Sequence, residues 1–174
     1  MLVGVLTFFK AFNYGAVLQS FALAMYLKQQ GCEVIFIDVP MADRTLLAKL
    51  YTQCFKFYFQ PFLCKYLPPF FSYNRLPNLD LYIVGSDQVW NPQITGSKSL
   101  CYFFDFLDRK KNAKLVSYAA SFGVDKWNFP DLVSSVRSLI ARFSYVSVRE
   151  NSGISICHTM FGKNAVMVLD PVFL

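Results

Sequence analysis

Histidine is almost missing from the sequence, in which His158 is the only one. The five cysteines form no CxxC pair, so the chain lacks the ligand clusters of structural zinc sites. Their odd number and loose spacing predict reduced, mostly buried thiols in a cytosolic protein. Because His158 falls in a predicted helix far along the chain from Ser86, a serine-hydrolase triad is also a poor fit.

Several other signals are absent. No run of 18 or more apolar residues occurs, and the sequence therefore predicts no transmembrane helix. Residues 1–9 lack the basic region of a signal peptide and are predicted to form a strand. There is no GxGxxG fingerprint for a dinucleotide, and no RNP1 or GXXG signature that would support a nucleic-acid partner.

Apolar and basic residues are abundant. Of the 174 residues, 55% are hydrophobic and 18% aromatic, and the formal net charge is +6. The apolar excess must be buried, covered by a partner or laid on a membrane. The positive charge suits phosphate groups, anionic lipid or nucleic acid without choosing among them.

Strand and helix patterns alternate along the chain. Strands are predicted at residues 2–7, 33–38, 79–84, 113–119, 143–148 and 165–169, and helices at about 14–30, 130–142 and 150–160. This order predicts an α/β fold: a Rossmann-like, doubly wound, mostly parallel sheet of about six strands with helices on both faces. The length fits a single domain spanning residues 1–174.

The segment from Arg44 to Arg75 is the exception to this alternation. It holds five lysines and arginines, ten aromatic residues and no acidic residue. One interpretation is an insertion whose aromatic side chains pack on the sheet. Another is a peripheral element that contacts a membrane, which its basic and aromatic composition also suits. An RNA-binding element is the least supported interpretation.

Polar residues and glycines follow the predicted strands. Because the carboxyl ends of parallel strands lie at one edge of the sheet, where ligands bind, we expect these residues to form a site. The candidate residues are Asn13, Tyr14, Gly15, Gly85, Ser86, Asp87, Gln88, Ser121, Arg149 and Asp170.

Each candidate also has a purely structural interpretation. Asp87 suits a general acid or base, a ligand for sugar hydroxyls, or a turn cap. Arg149 offers a rigid fork to a carboxylate or phosphate, or else pairs with Glu150 on the surface. Asn13 begins a helix whose N-terminus favours an anion, or is a plain cap. Trp90 stacks on a ligand ring or belongs to the core.

Several motifs together carry a family resemblance. They are GVLT (4–7), NYGAVLQ (13–19), VGSDQVWNP (84–92), YFFDF (102–106), SYAASFG (117–123), SVRE (147–150) and LDPVFL (169–174). In order and spacing they resemble the polysaccharide pyruvyl transferase family, over essentially the whole chain except residues 44–75. The resemblance implies a two-domain architecture of the GT-B kind, of which this chain is similar to the N-terminal half.

The resemblance also implies a reaction. Pyruvate from phosphoenolpyruvate would be transferred to a sugar of a cell-surface polysaccharide, forming a ketal and releasing phosphate. Asp87 would then be the acid–base group, Arg149 would pair with the donor, and the other candidates would line the site, with no metal or cofactor required. We expect a lipid-linked or polymeric sugar acceptor, a second α/β domain as partner and a place at the cytoplasmic face of the membrane.

Two alternatives stay open at the sequence level. The chain also suits half of a nucleotide-sugar glycosyltransferase, or a non-catalytic docking domain. As an isolated half, the chain is expected to be inactive. In one respect it departs from the family: residues 8–12 read FFKAF where a histidine is common, and Lys10 would be the substitute cation.

Overall fold

The computed structural model describes residues 1–11, 13–40, 60–108 and 114–174. Five parallel strands form its main sheet, in the order β3-β2-β1-β4-β5. Their bounds are β1 Leu2–Leu6, β2 Glu33–Asp38, β3 Phe70–Ser72, β4 Leu81–Val84 and β5 Lys114–Ser117. The predicted α/β class with a mostly parallel sheet is confirmed.

Two short strands extend this order beyond β5. Strands β6 (Ser147–Val148) and β7 (Val166–Met167) pair in parallel with each other. Single bridges join Val116 to Tyr145 and Ala120 to Val148, so β6 lies beside β5. The described residues therefore contain a five-stranded sheet and a two-stranded pair, where the sequence predicted one sheet of about six strands.

Serine side chains replace part of the backbone ladder between β5 and β6. The Ser117 hydroxyl donates to the Ser147 carbonyl at 2.9 Å, and the Ser147 hydroxyl donates to the Ser117 carbonyl at 2.7 Å. Both residues are buried. The exchange joins β5 to β6, whereas the regular pairing of Ser147 and Val148 is with β7, so only two residues of the predicted strand at 143–148 are paired in this way.

The helices cover both faces of the sheet. Their bounds are α1 Tyr14–Gln29, α3 Pro92–Thr95, α4 Val133–Ile140 and α5 Asn151–Phe161, with short 3₁₀ turns at Gly96–Phe103, Pro130–Leu132 and Pro171–Phe173. The described part of a further helix, α2, covers residues 60–66. Helix α1 packs on one face through Leu23 and Ala24, against Val3 and Val5 of β1. The opposite face packs against α4 and α5. This is the doubly wound arrangement that the alternating pattern predicted.

An aromatic core fills the α4–α5 side. Trp90 is 1% exposed, stacks on Phe103 at a ring distance of 5.1 Å and donates its indole N–H to the Tyr102 carbonyl. Phe122 and Phe143 also contact the Trp90 ring. Trp90 is therefore a core residue, the structural one of its two interpretations.

Gly4 of β1 lies where there is little room for a side chain. A Cβ on Gly4 would contact Leu79 and would lie 3.0 Å from the Ile37 side chain. A larger residue at this position would therefore require the Leu79 and Ile37 side chains to move.

Part of the basic-aromatic segment belongs to this fold. Residues 44–59 lie outside the described residues, so the predicted membrane element is described only from residue 60 onward. There, Phe62 and Tyr66 of α2 pack edge-on against Phe21 of α1. The three residues of β3 then join the sheet edge. The sequence missed β3 because it is short and lies among aromatics without alternation.

Candidate functional site

The switch point of the sheet lies between β1 and β4. From β1 the chain proceeds to β2 and β3 on one side, then to β4 and β5 on the other. In open α/β sheets, ligands bind outside the carboxyl ends of the strands at such a point. Thr7 follows β1 and Gly85-Ser86-Asp87 follows β4, so the motif VGSDQVWNP lies at this point.

Buried hydrogen bonds connect the two strand ends. The Thr7 hydroxyl donates to the Ser86 carbonyl at 2.7 Å, and the Gln19 amide of α1 donates to the Thr7 hydroxyl at 2.9 Å. A Cβ on Gly85 would lie 3.1 Å from the Thr7 Cβ. The close approach of the loop to β1 therefore relies on the glycine.

Asp87 has a left-handed backbone, with φ of 83°. Its carbonyl accepts from the Ser121 N–H at 3.0 Å, and one carboxylate oxygen accepts from the Gln88 N–H at 2.8 Å. Nearby Ala119 is also left-handed, with φ of 54°. Strained non-glycine backbone tends to gather at functional sites because the surrounding contacts must enforce it. In the described part of the chain, the other Asp87 oxygen makes no hydrogen bond.

Ser86, Arg149 and Asp170 form a direct polar cluster. The fully buried Ser86 hydroxyl donates to Asp170 Oδ2 at 2.5 Å, and Arg149 Nη1 donates to the same oxygen at 3.2 Å. Arg149 Nε also lies 3.8 Å from a Glu150 carboxylate oxygen. The side chains of Arg149 and Asp170 are 35% and 15% exposed, so this cation is reachable from solvent while its partner is mostly buried.

The chain after β7 crosses the sheet edge to form this cluster. Asp170 follows β7, yet it bonds to Ser86, which follows β4. Beyond it, Pro171–Phe173 packs against α1. The second Asp170 oxygen caps this 3₁₀ turn by accepting from the Val172 N–H at 3.1 Å. Residues from three strand ends are therefore held together by one crossing segment.

The other candidates on this edge make local contacts. The buried Ser121 hydroxyl accepts from the Gly123 N–H at 3.0 Å. The Gln88 side-chain oxygen accepts from the Asn91 amide at 3.0 Å and lies against Gly123, whose φ is 63°. Both residues thus stabilise the loops that surround Asp87.

The three candidates at the start of α1 are exposed. Asn13 Oδ1 accepts from the N–H groups of Gly15 and Ala16 at 2.8 and 3.4 Å, which is the geometry of an N-cap. Tyr14 is 73% exposed. The structure gives Asn13 its structural role, and substrate binding by these three residues remains a prediction.

The buried thiols and phenol nearby are not nucleophiles. Burial, helped by the nearby Asp105 carboxylate, raises the pKa of Cys101 to about 11. Burial raises the pKa of Cys157 to about 12. The pKa of Tyr102 rises well above its ordinary range, mainly through burial and further through Cys101, Asp38 and Asp87. These groups stay protonated at neutral pH, so they do not supply a thiolate or phenolate.

Three residues of the site were not among the predicted site residues. They are Thr7, Gln19 and Glu150, whose carboxylate accepts from the Phe122 N–H at 3.0 Å and also faces Arg149. Thr7 directly follows β1 and Glu150 lies two residues after β6, and this position at a strand end is the signal that could have found them. Gln19 lies within a helix, and its 2% exposure is not visible in the sequence.

The arrangement brings ionised and hydroxyl groups together at one edge of the sheet. It combines the Arg149 guanidinium, the buried Ser86 hydroxyl and the Asp87 carboxylate, one oxygen of which makes no bond to its own turn. All three groups lie at the carboxyl edge of a parallel sheet. No group of three or more potential metal ligands occurs within the described ranges. Likewise, none of the helices in that part of the chain is long and apolar enough to cross a membrane.

The fold and site define a Rossmann-like α/β protein with a polar site at its switch point. The family model for polysaccharide pyruvyl transferase matches residues 13–174. The chain therefore belongs to the polysaccharide pyruvyl transferase family, a family of transferases, and the resemblance stated from its motifs is confirmed. No curated protein matches the chain.

Proposed function

We propose that this chain forms one wall of the active site of an enzyme that transfers pyruvate from phosphoenolpyruvate to a sugar. A proton is added to the methylene carbon of the donor, and C2 becomes electrophilic. One sugar hydroxyl attacks C2 and loses its proton, which replaces the one added to the methylene carbon. The phosphate then leaves, and a second hydroxyl attacks C2 to close the ketal and loses its proton to the released phosphate. The reaction needs a proton donor and acceptor near C2 and cations for the carboxylate and phosphate.

The observation that carries the proposal is the position of Arg149. It lies at the carboxyl edge of the sheet, about one-third exposed, in a chain that belongs to this family. Its Nη1 bonds to Asp170, while Nη2 donates no hydrogen bond to any described residue. In the proposal, these Nη2 protons bind the donor carboxylate or phosphate, and Asp170 fixes the plane of the guanidinium.

Asp87 is the proposed acid–base group. Its backbone is fixed by the strained turn and by the bond to Ser121, and one carboxylate oxygen is bound to Gln88. The second oxygen is then the one that exchanges a proton with the donor or with the sugar hydroxyl. Ser86, held by Asp170, orients the loop that carries Asp87.

The remaining partners belong to the same proposal. The acceptor is a lipid-linked or polymeric sugar, and residues 44–75 contact the cytoplasmic face of the membrane where such a sugar is held. A second α/β domain covers the apolar surface of β7, where Val166 and Met167 are 43% and 51% exposed. In this arrangement the isolated chain binds the donor weakly and does not turn it over. No nucleic acid takes part.

Turnover with different donors tests this function. In a full-length family member, phosphate release from phosphoenolpyruvate in the presence of sugar acceptors is expected, whereas nucleotide sugars are not consumed. Replacing the residues that match Asp87 by Asn and Arg149 by Ala should each lower kcat/KM by at least about a hundredfold. If both variants kept full turnover, the assignment of these residues would be wrong. Consumption of nucleotide sugars instead would favour the glycosyltransferase alternative.

A further inference from the structure

A second polar cluster lies at the same sheet edge, on the other side of β1. Lys10 follows β1, and its ammonium lies 2.6 Å from Asp38 Oδ2 at the end of β2. The same ammonium lies 3.6 Å from the ring centroid of Phe70 in β3. Three neighbouring strands thus bring a cation, a carboxylate and an aromatic ring together, outside the cluster around Arg149.

The aromatic ring in this cluster is unusually exposed. Phe70 is 54% exposed and belongs to β3, the edge strand of the main sheet. It points to the α1 face, where its ring lies 5.7 Å from that of Phe9. Lys10 covers one part of the ring, and more than half of the side chain stays open to solvent. The open part of the ring is therefore available to contact a ligand.

The ion pair beside the ring retains unused hydrogen-bonding capacity. In the described part of the chain, Asp38 Oδ1 accepts no hydrogen bond, and Lys10 donates only to Asp38. A carboxylate accepts from hydroxyls and an ammonium donates to them, so the adjacent pair can bind two neighbouring hydroxyls of one ligand. The side chains are 36% and 28% exposed, which leaves both accessible.

We infer that Lys10, Asp38 and Phe70 form a sugar-binding subsite. The apolar C–H face of a pyranose ring lies against the open part of Phe70, and two neighbouring hydroxyls bind the Lys10–Asp38 pair. The inference rests on the proposed function, because a glycan bound here is the pyruvate acceptor. Strands are spaced about 4.8 Å apart, so the end of β2 lies roughly 10 Å from the end of β4. A single pyranose ring is shorter than this distance, so the sugar that reaches Asp87 is the next one in a glycan whose neighbouring ring lies on Phe70.

Chemical-shift titration of the 174-residue chain tests the subsite. The probes are the methyl pyranosides of glucose, galactose and mannose, each added up to its solubility limit. At least one is expected to shift the signals of Phe70, Lys10 and Asp38 in a saturable way. Phe70→Ala should weaken that binding by about tenfold or more, and Asp38→Asn should also weaken it. Phe70→Trp should retain it, which shows that the loss reflects the ring and not the fold.

Phe71→Ala is the matched control. Phe71 is 41% exposed and follows Phe70 in the same strand, but its side chain points to the opposite face of the sheet. Binding should persist in this variant. If no pyranoside bound the unmodified chain, or if Phe71→Ala and Phe70→Ala weakened binding equally, the subsite would be refuted.

A parallel titration with phosphoenolpyruvate separates this inference from the proposed function. Shifts around Arg149 and Ser86 without any sugar binding would refute the subsite and leave the donor site standing. Sugar binding at Phe70 with no response to phosphoenolpyruvate would support a sugar site and contradict the donor assignment.

Discussion

Gly123 and Gln88 meet where the loop after β5 passes the loop after β4. Gly123 has a φ of 63°, and a Cβ there would collide with the Gln88 side chain. The bond from Asn91 holds that side chain in place. The glycine therefore sets how closely the two loops approach beside Asp87.

Gly123→Ala should destabilise the protein by about 2–4 kcal/mol, from left-handed strain together with the collision with Gln88. Gly162→Ala is the matched control, because its φ is 65° and nothing lies within 4 Å of a Cβ there. The control should lose only about 1–2 kcal/mol. Urea unfolding measures both values, and equal losses would contradict the described contact with Gln88.

At the scale of elements, α1 is the one that the sequence predicted best. Asn13 and Gly31 bounded the predicted helix at 14–30, and the structure has Tyr14–Gln29 with Asn13 as the cap and Gly31 at φ of 77°. Capping chemistry is local, so it can be predicted from sequence. In contrast, β3 forms because Phe70–Ser72 lies beside β2, which is a tertiary contact that local pattern does not encode.

The N-cap role of Asn13 predicts that its replacement lowers the stability of the protein. Asn13→Ala should lower the free energy of unfolding by about 1 kcal/mol, while Asn13→Ser should preserve most of it. If Asn13 also binds the donor, Asn13→Ala would lose stability and in addition weaken phosphoenolpyruvate binding. Urea unfolding and a donor titration on the same samples distinguish the two roles.

The serine exchange between β5 and β6 predicts a larger effect. Ser147→Ala removes a buried hydroxyl that donates to Ser117 and accepts from the Ala119 N–H, and should cost about 1–3 kcal/mol. Ser144→Ala serves as the control, since its hydroxyl makes one bond to Leu115 from an exposed residue. The control should cost less in urea unfolding. Equal effects would mean that the exchange does not stabilise the pairing of β6.

At the scale of the whole molecule, the sequence predicted that the candidate residues lie at one edge of the sheet. It did not predict that Ser86, Arg149 and Asp170 contact one another. Ser86, Arg149 and Asp170 were candidates because each follows a predicted strand, and parallel strands share an edge. Their direct contact depends on the path of residues after β7, which returns across the sheet to α1. Because that return depends on packing between segments far apart in the chain, neither motif spacing nor secondary-structure propensity indicated it.

The buried Cys157 thiol predicts that the protein loses stability at alkaline pH. Burial raises the pKa of Cys157 from 9.0 to about 12, so between these values the native thiol stays protonated while the unfolded one ionises. The native state then binds more protons, and the free energy of unfolding falls as pH rises through this range, by up to about 1.4 kcal/mol per pH unit. Below pH 9 the contribution is fully present.

Comparison with Cys157→Ala isolates the contribution of the Cys157 thiol to the pH dependence of the free energy of unfolding. All other ionisable groups are the same in both proteins, so the difference in slope belongs to Cys157 alone. Urea unfolding over the alkaline range should show the shallower slope in the variant. Identical slopes would mean that the Cys157 thiol is not buried as described.

The central claim is that Arg149 binds the donor, and calorimetric titration of the chain with phosphoenolpyruvate tests it most directly. Binding is expected in the unmodified protein and should fall by at least about tenfold in Arg149→Ala, because a charge-assisted bond to an anion is lost. Arg137→Ala is the control: Arg137 bonds only to the Met160 carbonyl among described residues, and its loss should leave donor affinity unchanged. Equal binding by the unmodified protein and Arg149→Ala would contradict the account.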